Sequence, residues 1–404
     1  MNIRIILNFI MLVLLSVTLL VCNTKKEKND NNMAIAAVLL SSQNTSSSTI
    51  QVSTLSLSES GKDSKSILNQ PEDLAVDSNG IIYVADSKNN RVIKVVNEST
   101  VSTILSSNGN SSDLSIFNNP EGITAGPNGI VFVSNTGSST ASNGYFEGHN
   151  IIKIDTNNNN TISLFSGKDK PSVRETIDGS NGTNRYFKPE GIRYANNKLV
   201  IGEAGGYNVR EVNISNGTIT TLAGEKPTGG SSPTGGTPIA TDGLATTAKF
   251  NGPKGVIADS DGNVYIVDKG NHCIRKYNPS TKQVSTFAGS DAGGDSAKDF
   301  IDGKGTAARF NSPYMITLDE SGNFYVADSG NFAIRKITKD GTVSTIAGGK
   351  GKGREDGSTT SAKFYNPIGI YYNNKTLYIT DVASKKIAEA AADDYSTIRK
   401  ITGL

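Results

Sequence analysis

The sequence predicts an all-β protein in which six similar sheets close into a ring, and three observations support this. Only 36% of the 404 residues are apolar while 42 are glycine, a balance typical of short strands joined by many turns. One unit with four β-rich segments recurs every 49 to 69 residues along the chain. The sixth unit lacks its last segment, and a matching segment stands alone before the first unit. Together these features predict a six-bladed β-propeller.

Each unit begins with a proline and a short apolar segment that we assign to the innermost strand of a blade. The prolines are Pro71, Pro120, Pro189, Pro253, Pro313 and Pro367. The second segments are almost continuously apolar: "IIYVAD" (81–86), "IVFVSN" (130–135), "KLVIGE" (198–203), "NVYIVD" (263–268), "NFYVAD" (323–328) and "TLYITD" (376–381). Because blades stack face to face, both surfaces of such strands are buried, and strict alternation is not expected.

The segment "QVSTLSLS" (51–58) resembles the end of a unit, such as "TVSTIAGG" (342–349), although no unit precedes it. The sixth unit has three β-rich segments and then stops at Leu404. An unpaired last strand would leave backbone hydrogen-bonding groups without partners at the seam of the ring. We therefore expect residues 51–58 to complete the sixth blade as its outer strand, within a propeller that covers residues 49–404.

The N-terminus has the pattern of an export signal. Residues 1–21 join a positive charge at Arg4 to a mostly apolar run, and polar sequence follows at once. "LLVC" (19–22) resembles the lipobox of bacterial lipoproteins, of the looser kind found in spirochaetes, although Val21 departs from the usual small residue. This resemblance implies lipidation of Cys22, a disordered tether over residues 22–48, and an exported protein held at an inner or outer bacterial membrane. The alternative is an uncleaved signal anchor, since roughly 17 apolar residues approach the length that spans a bilayer.

Two units resemble NHL repeats closely: "FNGPKGVIADSDGNVYIVDKGNHCIRKYNPSTKQVSTFAGS" (250–290) and "FNSPYMITLDESGNFYVADSGNFAIRKITKDGTVSTIAGG" (310–349). The resemblance extends over residues 49–404 and implies an NHL-type propeller. It says little about activity, because such propellers serve as recognition modules of ligases, as lyases and as adhesive receptors.

Nearly all variation in loop length falls on one face, which we call the long-loop face. Its long loops cover residues 136–150, 225–249, 290–309, 349–363 and 382–397. The insertion "NGYFEGH" (143–149) groups Tyr145, Phe146, Glu147 and His149 between glycines. Exposed aromatic groups beside polar ones are typical of interaction sites, so we expect this insertion to contact a protein or glycan ligand. The alternative is that these side chains fold down onto their own blade.

Several polar residues recur at equivalent positions, and we expect structural roles for most of them. An Asp-Gly turn recurs with Asp178, Asp242, Asp302 and Asp356, each followed by an aromatic plug that we place at Phe187, Phe250, Phe310 and Phe364. Acids or amides at the ends of the second strands are expected to bond the next turn. The recurring arginines Arg210, Arg275, Arg335 and Arg399 either bridge sheets or lie on their surface.

Catalytic function receives less support. Two histidines are too few for the His-rich zinc site of the peptide-amidating lyases, which are related propellers. Lactonases of the gluconolactonase type use Glu, Asn and Asp around one divalent cation such as Ca²⁺, and Asn135, Glu203 and Asp268 could imitate that set. A metal-dependent hydrolase is therefore the alternative to a binding scaffold without cofactor.

Charge and cysteine content narrow the expected partners. The net charge of +2 gives no basis for nucleic-acid binding, and we expect a monomer. Cys22 and Cys273 cannot form a disulfide framework, and Cys273 is expected to fill space in a strand.

Overall fold

The computed structural model describes most of the unit Thr49–Leu404, one of two units into which the chain divides. The described residues are 50–104, 116–137, 148–167, 176–224, 240–290, 297–383 and 395–404. The predicted signal, Cys22 and the tether lie outside them, as do Tyr145, Phe146 and Glu147. No helix in the described ranges is long and apolar enough to cross a membrane.

The described secondary structure is almost entirely strand. In chain order the strands are β1 (Gln51–Thr54), β2 (Pro71–Val76), β3 (Ile82–Asp86), β4 (Arg91–Val96), β5 (Thr100–Thr103), β6 (Pro120–Ala125), β7 (Ile130–Asn135), β8 (Asn150–Asp155), β9 (Thr161–Ser166), β10 (Pro189–Ala195), β11 (Lys198–Glu203), β12 (Asn208–Asn213), β13 (Ile219–Ala223), β14 (Gly243–Leu244), β15 (Pro253–Ala258), β16 (Val264–Asp268), β17 (Cys273–Asn278), β18 (Gln283–Ala288), β19 (Gly303–Lys304), β20 (Pro313–Leu318), β21 (Phe324–Asp328), β22 (Ala333–Ile337), β23 (Thr342–Gly348), β24 (Gly357–Ser358), β25 (Pro367–Asn373), β26 (Thr376–Asp381) and β27 (Thr397–Thr402). Short 3₁₀ turns occupy Ser64–Ser66, Ser87–Asn89, Lys269–Asn271, Gly305–Ala307 and Ser329–Asn331.

These strands form six antiparallel sheets, so the six-bladed propeller is confirmed. Blades 1, 2 and 3 have four strands each: β2–β5, β6–β9 and β10–β13. Blades 4, 5 and 6 each carry an additional two-residue strand on the outside, formed by β14, β19 and β24. The Asp-Gly turns supply these short strands, which shield the outer edges of three blades.

The predicted closure of the ring is also confirmed. β1 pairs antiparallel with β27, with Val52 opposite Ile401 and Thr54 opposite Arg399. The chain then crosses to blade 1, where Ser58 bridges Thr100 of β5. The N-terminal segment therefore completes blade 6 and also ties it to blade 1.

The cores lie between the blades. All five residues of β3, β16 and β21 are buried, as expected for strands covered on both faces. The inner strands approach one another so closely that a Cβ at Gly122 would lie 2.0 Å from the carbonyl oxygen of Glu190. This contact explains why small residues follow the inner-strand prolines in several units.

The aromatic plugs are confirmed in three blades and corrected in a fourth. Phe250, Phe310 and Phe364 are fully buried. In blade 3 the residue three positions before the proline is Tyr186, which is 1% exposed, while Phe187 is only partly buried. The prediction for Phe187 was wrong because it chose the residue type, whereas the plug is fixed by its distance from Pro189.

Candidate functional site

The residue after each inner-strand proline lies at the mouth of the central channel, on the long-loop face. Each inner-strand proline pairs with the last residue of the second strand of its blade, as Pro71 does with Asp86. The six residues are Glu72, Glu121, Glu190, Lys254, Tyr314 and Ile368. Five of the six are ionisable, and side chains from five blades meet here. We call Glu72, Glu121, Glu190, Lys254 and Tyr314 the mouth cup.

Lys254 links the walls of the mouth cup. Its ammonium forms an ion pair with Glu190, lies 3.8 Å from Oε2 of Glu121, and donates a hydrogen bond of 3.2 Å to the hydroxyl of Tyr314. Tyr314 also contacts Glu72 through a side-chain hydrogen bond. Among the described residues, no cation lies within ion-pair distance of Glu72. Two carboxylates, those of Glu121 and Glu190, thus share the ammonium group of Lys254, and the third, that of Glu72, lies farther from it.

The ionisation equilibria of the mouth cup are displaced toward neutral pH. Burial, reinforced by the charge of Glu121, raises the pKa of Glu72 to about 7. Burial lowers the pKa of Lys254 to about 8, and it also lowers the pKa of Lys269, whose ammonium lies 4.5 Å from the ring centroid of Tyr314. Both Glu72 and Lys254 can therefore change protonation state near neutrality.

A buried ion pair crosses the channel below the mouth cup. Arg193 on β10 donates to both carboxylate oxygens of Asp73 on β2, at 2.6 and 3.1 Å. The same guanidinium donates to the carbonyls of Ile123 and Ile370, which belong to blades 2 and 6. Arg193 therefore links four blades across the channel beneath the mouth cup.

A cavity of about 370 Å³ adjoins the mouth cup, and we call it the side cavity. Its lining is Lys88, Asn90, Asn118, Asn119, Glu121, Thr136, Gly137, Lys188 and Glu190. Glu121 and Glu190 thus belong to both the mouth cup and the side cavity. Gly137 is the last described residue before the insertion that carries Tyr145, Phe146 and Glu147, which we call the interaction loop. The lining of the side cavity therefore includes the residue at which the described chain stops before this loop.

His149 is the one described residue among the four predicted contact residues, and it is buried. It is 3% exposed, its Nδ1 accepts the backbone N–H of Lys188 at 2.8 Å, and its ring packs against Phe187 at 5.6 Å between centroids. His149 therefore fastens the end of the insertion to blade 3 and positions the backbone of a lysine that lines the side cavity. This corresponds to the folded-down alternative for that residue.

The residues suggested for a divalent cation are engaged within their own blades. Glu203 accepts from Arg210 at 2.7 Å and from Thr176 at 2.9 Å. Asp268 accepts from Arg275 at 3.0 Å and from the amide of Asn271 at 2.9 Å. Asn135 donates to the carbonyl of Ile116 at 2.7 Å and to the side chain of Asn150 at 3.1 Å. Within the described ranges, no group of three or more His, Cys, Asp or Glu could hold a metal ion.

The recurring arginines, whose position the sequence left open, are fully buried in blades 3 to 6. Each guanidinium joins the acid at the end of the second strand to the acid of the Asp-Gly turn. In blade 5, Arg335 contacts Asp328 at 2.8 Å and Asp302 at 2.7 Å. Asp302 in turn accepts the backbone N–H of Thr345 on the outer strand at 3.1 Å. The Asp-Gly acids therefore fasten the long loops to the blades, and the second-strand acids bond the next turn as predicted, for example Asp328 with Asn331.

The sequence reasoning missed the mouth cup, although a signal was present. The words "PED", "PEG", "PEG", "PKG", "PYM" and "PIG" stand at equivalent positions of the six units. Residues at an equivalent position on the outer surface would lie far apart, whereas the residues that follow the six prolines meet at the channel mouth. Three glutamates and a lysine there could have indicated a charged site.

Comparisons with known proteins agree with this architecture and refine it to a type of repeat. The NHL repeat family matches residues 68–94 and 250–277. The molecule is therefore a six-bladed propeller in which two segments match the NHL repeat. The chain is 26% identical over 297 residues to human NHL repeat-containing protein 2, covering 67% of this chain and 39% of that protein. It is 38% identical over 96 residues to Protein SUPPRESSOR OF QUENCHING 1, chloroplastic, from Arabidopsis thaliana, covering 24% of this chain and 9% of that protein. The chain thus spans less than half the length of these relatives.

Solved structures show the same fold at low sequence identity. An auxiliary nutrient binding protein from Bacteroides ovatus superposes with a TM-score of 0.58 at 18% identity, covering 88% of this chain and 76% of that chain. A structural genomics protein of unknown function from Bacteroides thetaiotaomicron gives 0.57 at 19% identity, with 87% and 76% covered. These similarities establish the propeller fold.

Proposed function

We propose that this propeller is a binding scaffold that takes a protein or glycan ligand on its long-loop face. The observation that carries the proposal is the mouth cup, where side chains from five blades place partly desolvated charges beside a 370 Å³ cavity. A rigid ring that presents such groups within long loops is a common arrangement for recognition. The same fold is used for binding elsewhere, since the similar Bacteroides ovatus protein is described as an auxiliary nutrient binding protein.

The predicted contact residues Tyr145, Phe146 and Glu147 follow the wall of the side cavity in the chain, after Gly137. His149, which anchors the other end of this insertion, contributes by holding it against blade 3. The insertion would supply the aromatic contacts at the rim while the mouth cup supplies the polar ones. This division is typical of interfaces in which a few aromatic side chains dominate affinity.

Replacing both aromatic residues tests the proposal. We expect the variant Tyr145→Ala/Phe146→Ala to capture its ligand at least about tenfold less well, because interface aromatics of this kind each contribute about 2 kcal/mol or more. The measurement is recovery of envelope proteins and glycans on immobilised protein. Leu164→Ala is the matched control, because Leu164 is an exposed apolar residue on the outer strand of the same blade. Equal capture by both variants and the unaltered protein would remove this insertion from the proposed interface.

We further propose that the chain is exported and anchored through lipid on Cys22, at an inner or outer bacterial membrane. The support is the N-terminal pattern, in which an apolar run ends at "LLVC" and polar sequence follows. In cells grown with radioactive palmitate, we expect label on the full chain and none on the Cys22→Ala variant. Label that persists on Cys22→Ala would contradict lipidation at Cys22, and absence of label from both chains would favour the uncleaved anchor.

A further inference from the structure

We infer that the side cavity binds a small zwitterion, namely a free amino acid or a short peptide with both termini free. The ligand carboxylate would face Lys88 and Lys188, and its ammonium group would face Glu121 and Glu190. The inference deepens the proposed function and rests on it, because it names the ligand chemistry of a cavity on the same long-loop face. It depends on charges that the folded chain leaves incompletely paired.

The two lysines supply the cationic wall. The ammonium of Lys88 donates to Oδ1 of Asn119 at 3.2 Å and, among the described residues, has no carboxylate within ion-pair distance. The ammonium of Lys188 likewise has no carboxylate partner in the described part of the chain. Lys188 is only partly exposed, and its backbone is held by His149. A carboxylate placed between the two ammonium groups would therefore meet two donors that no acid of the protein neutralises.

The two glutamates supply the anionic wall. Oε1 of Glu121 accepts from Asn119 at 2.8 Å and from Thr136 at 3.0 Å. Oε2 of Glu121 is buried without a hydrogen bond and lies 3.8 Å from the ammonium of Lys254. Oε2 of Glu190 is ion-paired with the ammonium of Lys254, which Glu121 and Glu190 therefore share. A buried carboxylate oxygen without a hydrogen-bond donor is unfavourable, and a ligand ammonium group would provide a donor for Oε2 of Glu121 and a second positive charge for the two glutamates.

The size and lining of the side cavity restrict the ligand further. A volume of about 370 Å³ lies at the small end of ligand pockets, and the lining consists of charged and amide or hydroxyl groups. Glu121 and Glu190 would repel a dicarboxylate, and the lysines would repel a diamine. Asn90 adds an amide group to the lining, which matches the peptide bonds of a short peptide. A ligand that carries one carboxylate and one ammonium group can contact the two lysines and the two glutamates at the same time.

Calorimetric titration with trialanine tests the inference. We expect trialanine to bind the unaltered protein, and N-acetyl-trialanine and trialanine amide each to bind at least about tenfold more weakly, because each lacks one of the two charges. Lys188→Gln and Glu121→Gln should each weaken trialanine binding by a similar factor. Lys94→Gln is the matched control, because Lys94 lines a cavity at the opposite end of the propeller. Circular dichroism and thermal melting would confirm that each variant is folded.

The outcomes separate this inference from the proposed function. Absence of binding at millimolar trialanine, or equal binding of the two blocked peptides, would overturn the zwitterion site. If capture of a protein or glycan still depended on Tyr145 and Phe146 in that case, the proposed function would stand without it. If trialanine bound as expected while capture did not depend on Tyr145 and Phe146, the zwitterion site would stand and the proposed role of the insertion in capture would be contradicted.

Discussion

Deleting residues 49–58 will open the propeller and lower its free energy of unfolding by about 6 kcal/mol. The segment buries Val52, Leu55 and Leu57, and each buried apolar side chain of this size contributes about 2 kcal/mol. It also pairs with residues 399–402 of β27 and donates from the N–H of Leu55 to the carbonyl of Ile398 at 2.9 Å. Without it, β27 becomes an unprotected edge, and blade 6 loses one of its links to blade 1.

Urea unfolding followed by circular dichroism measures this effect. The control is deletion of residues 23–48, which precede β1 and leave every pairing of β27 intact. We expect the control to unfold at the same urea concentration as the full chain, and the 49–58 deletion to unfold at a much lower one. Equal midpoints for the two deletions would show that the ring does not depend on β1.

Replacing Arg335 with methionine will lower the free energy of unfolding by about 3–5 kcal/mol, the usual cost of removing one partner from a buried ion pair. The guanidinium of Arg335 is fully buried and contacts Asp328 and Asp302. It also donates to the carbonyls of Arg309 and Ile301 at 3.0 and 2.9 Å. Methionine fills much of the same space but leaves the carboxylate of Asp328 buried without its counter-charge.

A second substitution distinguishes charge from packing. In Arg335→Met/Asp328→Asn the uncompensated charge is removed, so we expect part of the lost stability to return. Lys339→Met is the control, because Lys339 is exposed, and its effect should stay within about 0.5 kcal/mol. An Arg335→Met variant as stable as this control would contradict the structural role assigned to the recurring arginines.

The fold could be predicted from the sequence because repetition supplies several independent readings of one pattern. The inner-strand prolines and the apolar second segments recur in all six units and the last phrase in five, so a weak signal in one blade is corrected by the others. The unpaired phrase at 51–58 then fixes the closure, because six blades need six outer strands. The wrong prediction for Phe187 is explained by the same regularity, because the spacing from the inner-strand proline places Tyr186 in the plug.

The candidate site was predicted less well, because it depends on residues that meet across blades. Glu72, Glu121 and Glu190 lie 49 and 69 residues apart in the chain, and only the circular arrangement brings them to Lys254. Arg193, which crosses the channel, has no counterpart at the same position of the other units, so the repeat pattern gives no indication of it. The recurring arginines were noticed, but their partners Asp302 and Asp328 belong to different segments of the unit.

Hydrogen–deuterium exchange at residues 50–58 tests the closed ring most directly. If β1 is the outer partner of β27, the backbone amides that bond β27, including that of Leu55, will exchange as slowly as those of β27 itself. Exchange of these amides within seconds, at the rate of an unfolded peptide, would show that the segment does not complete blade 6.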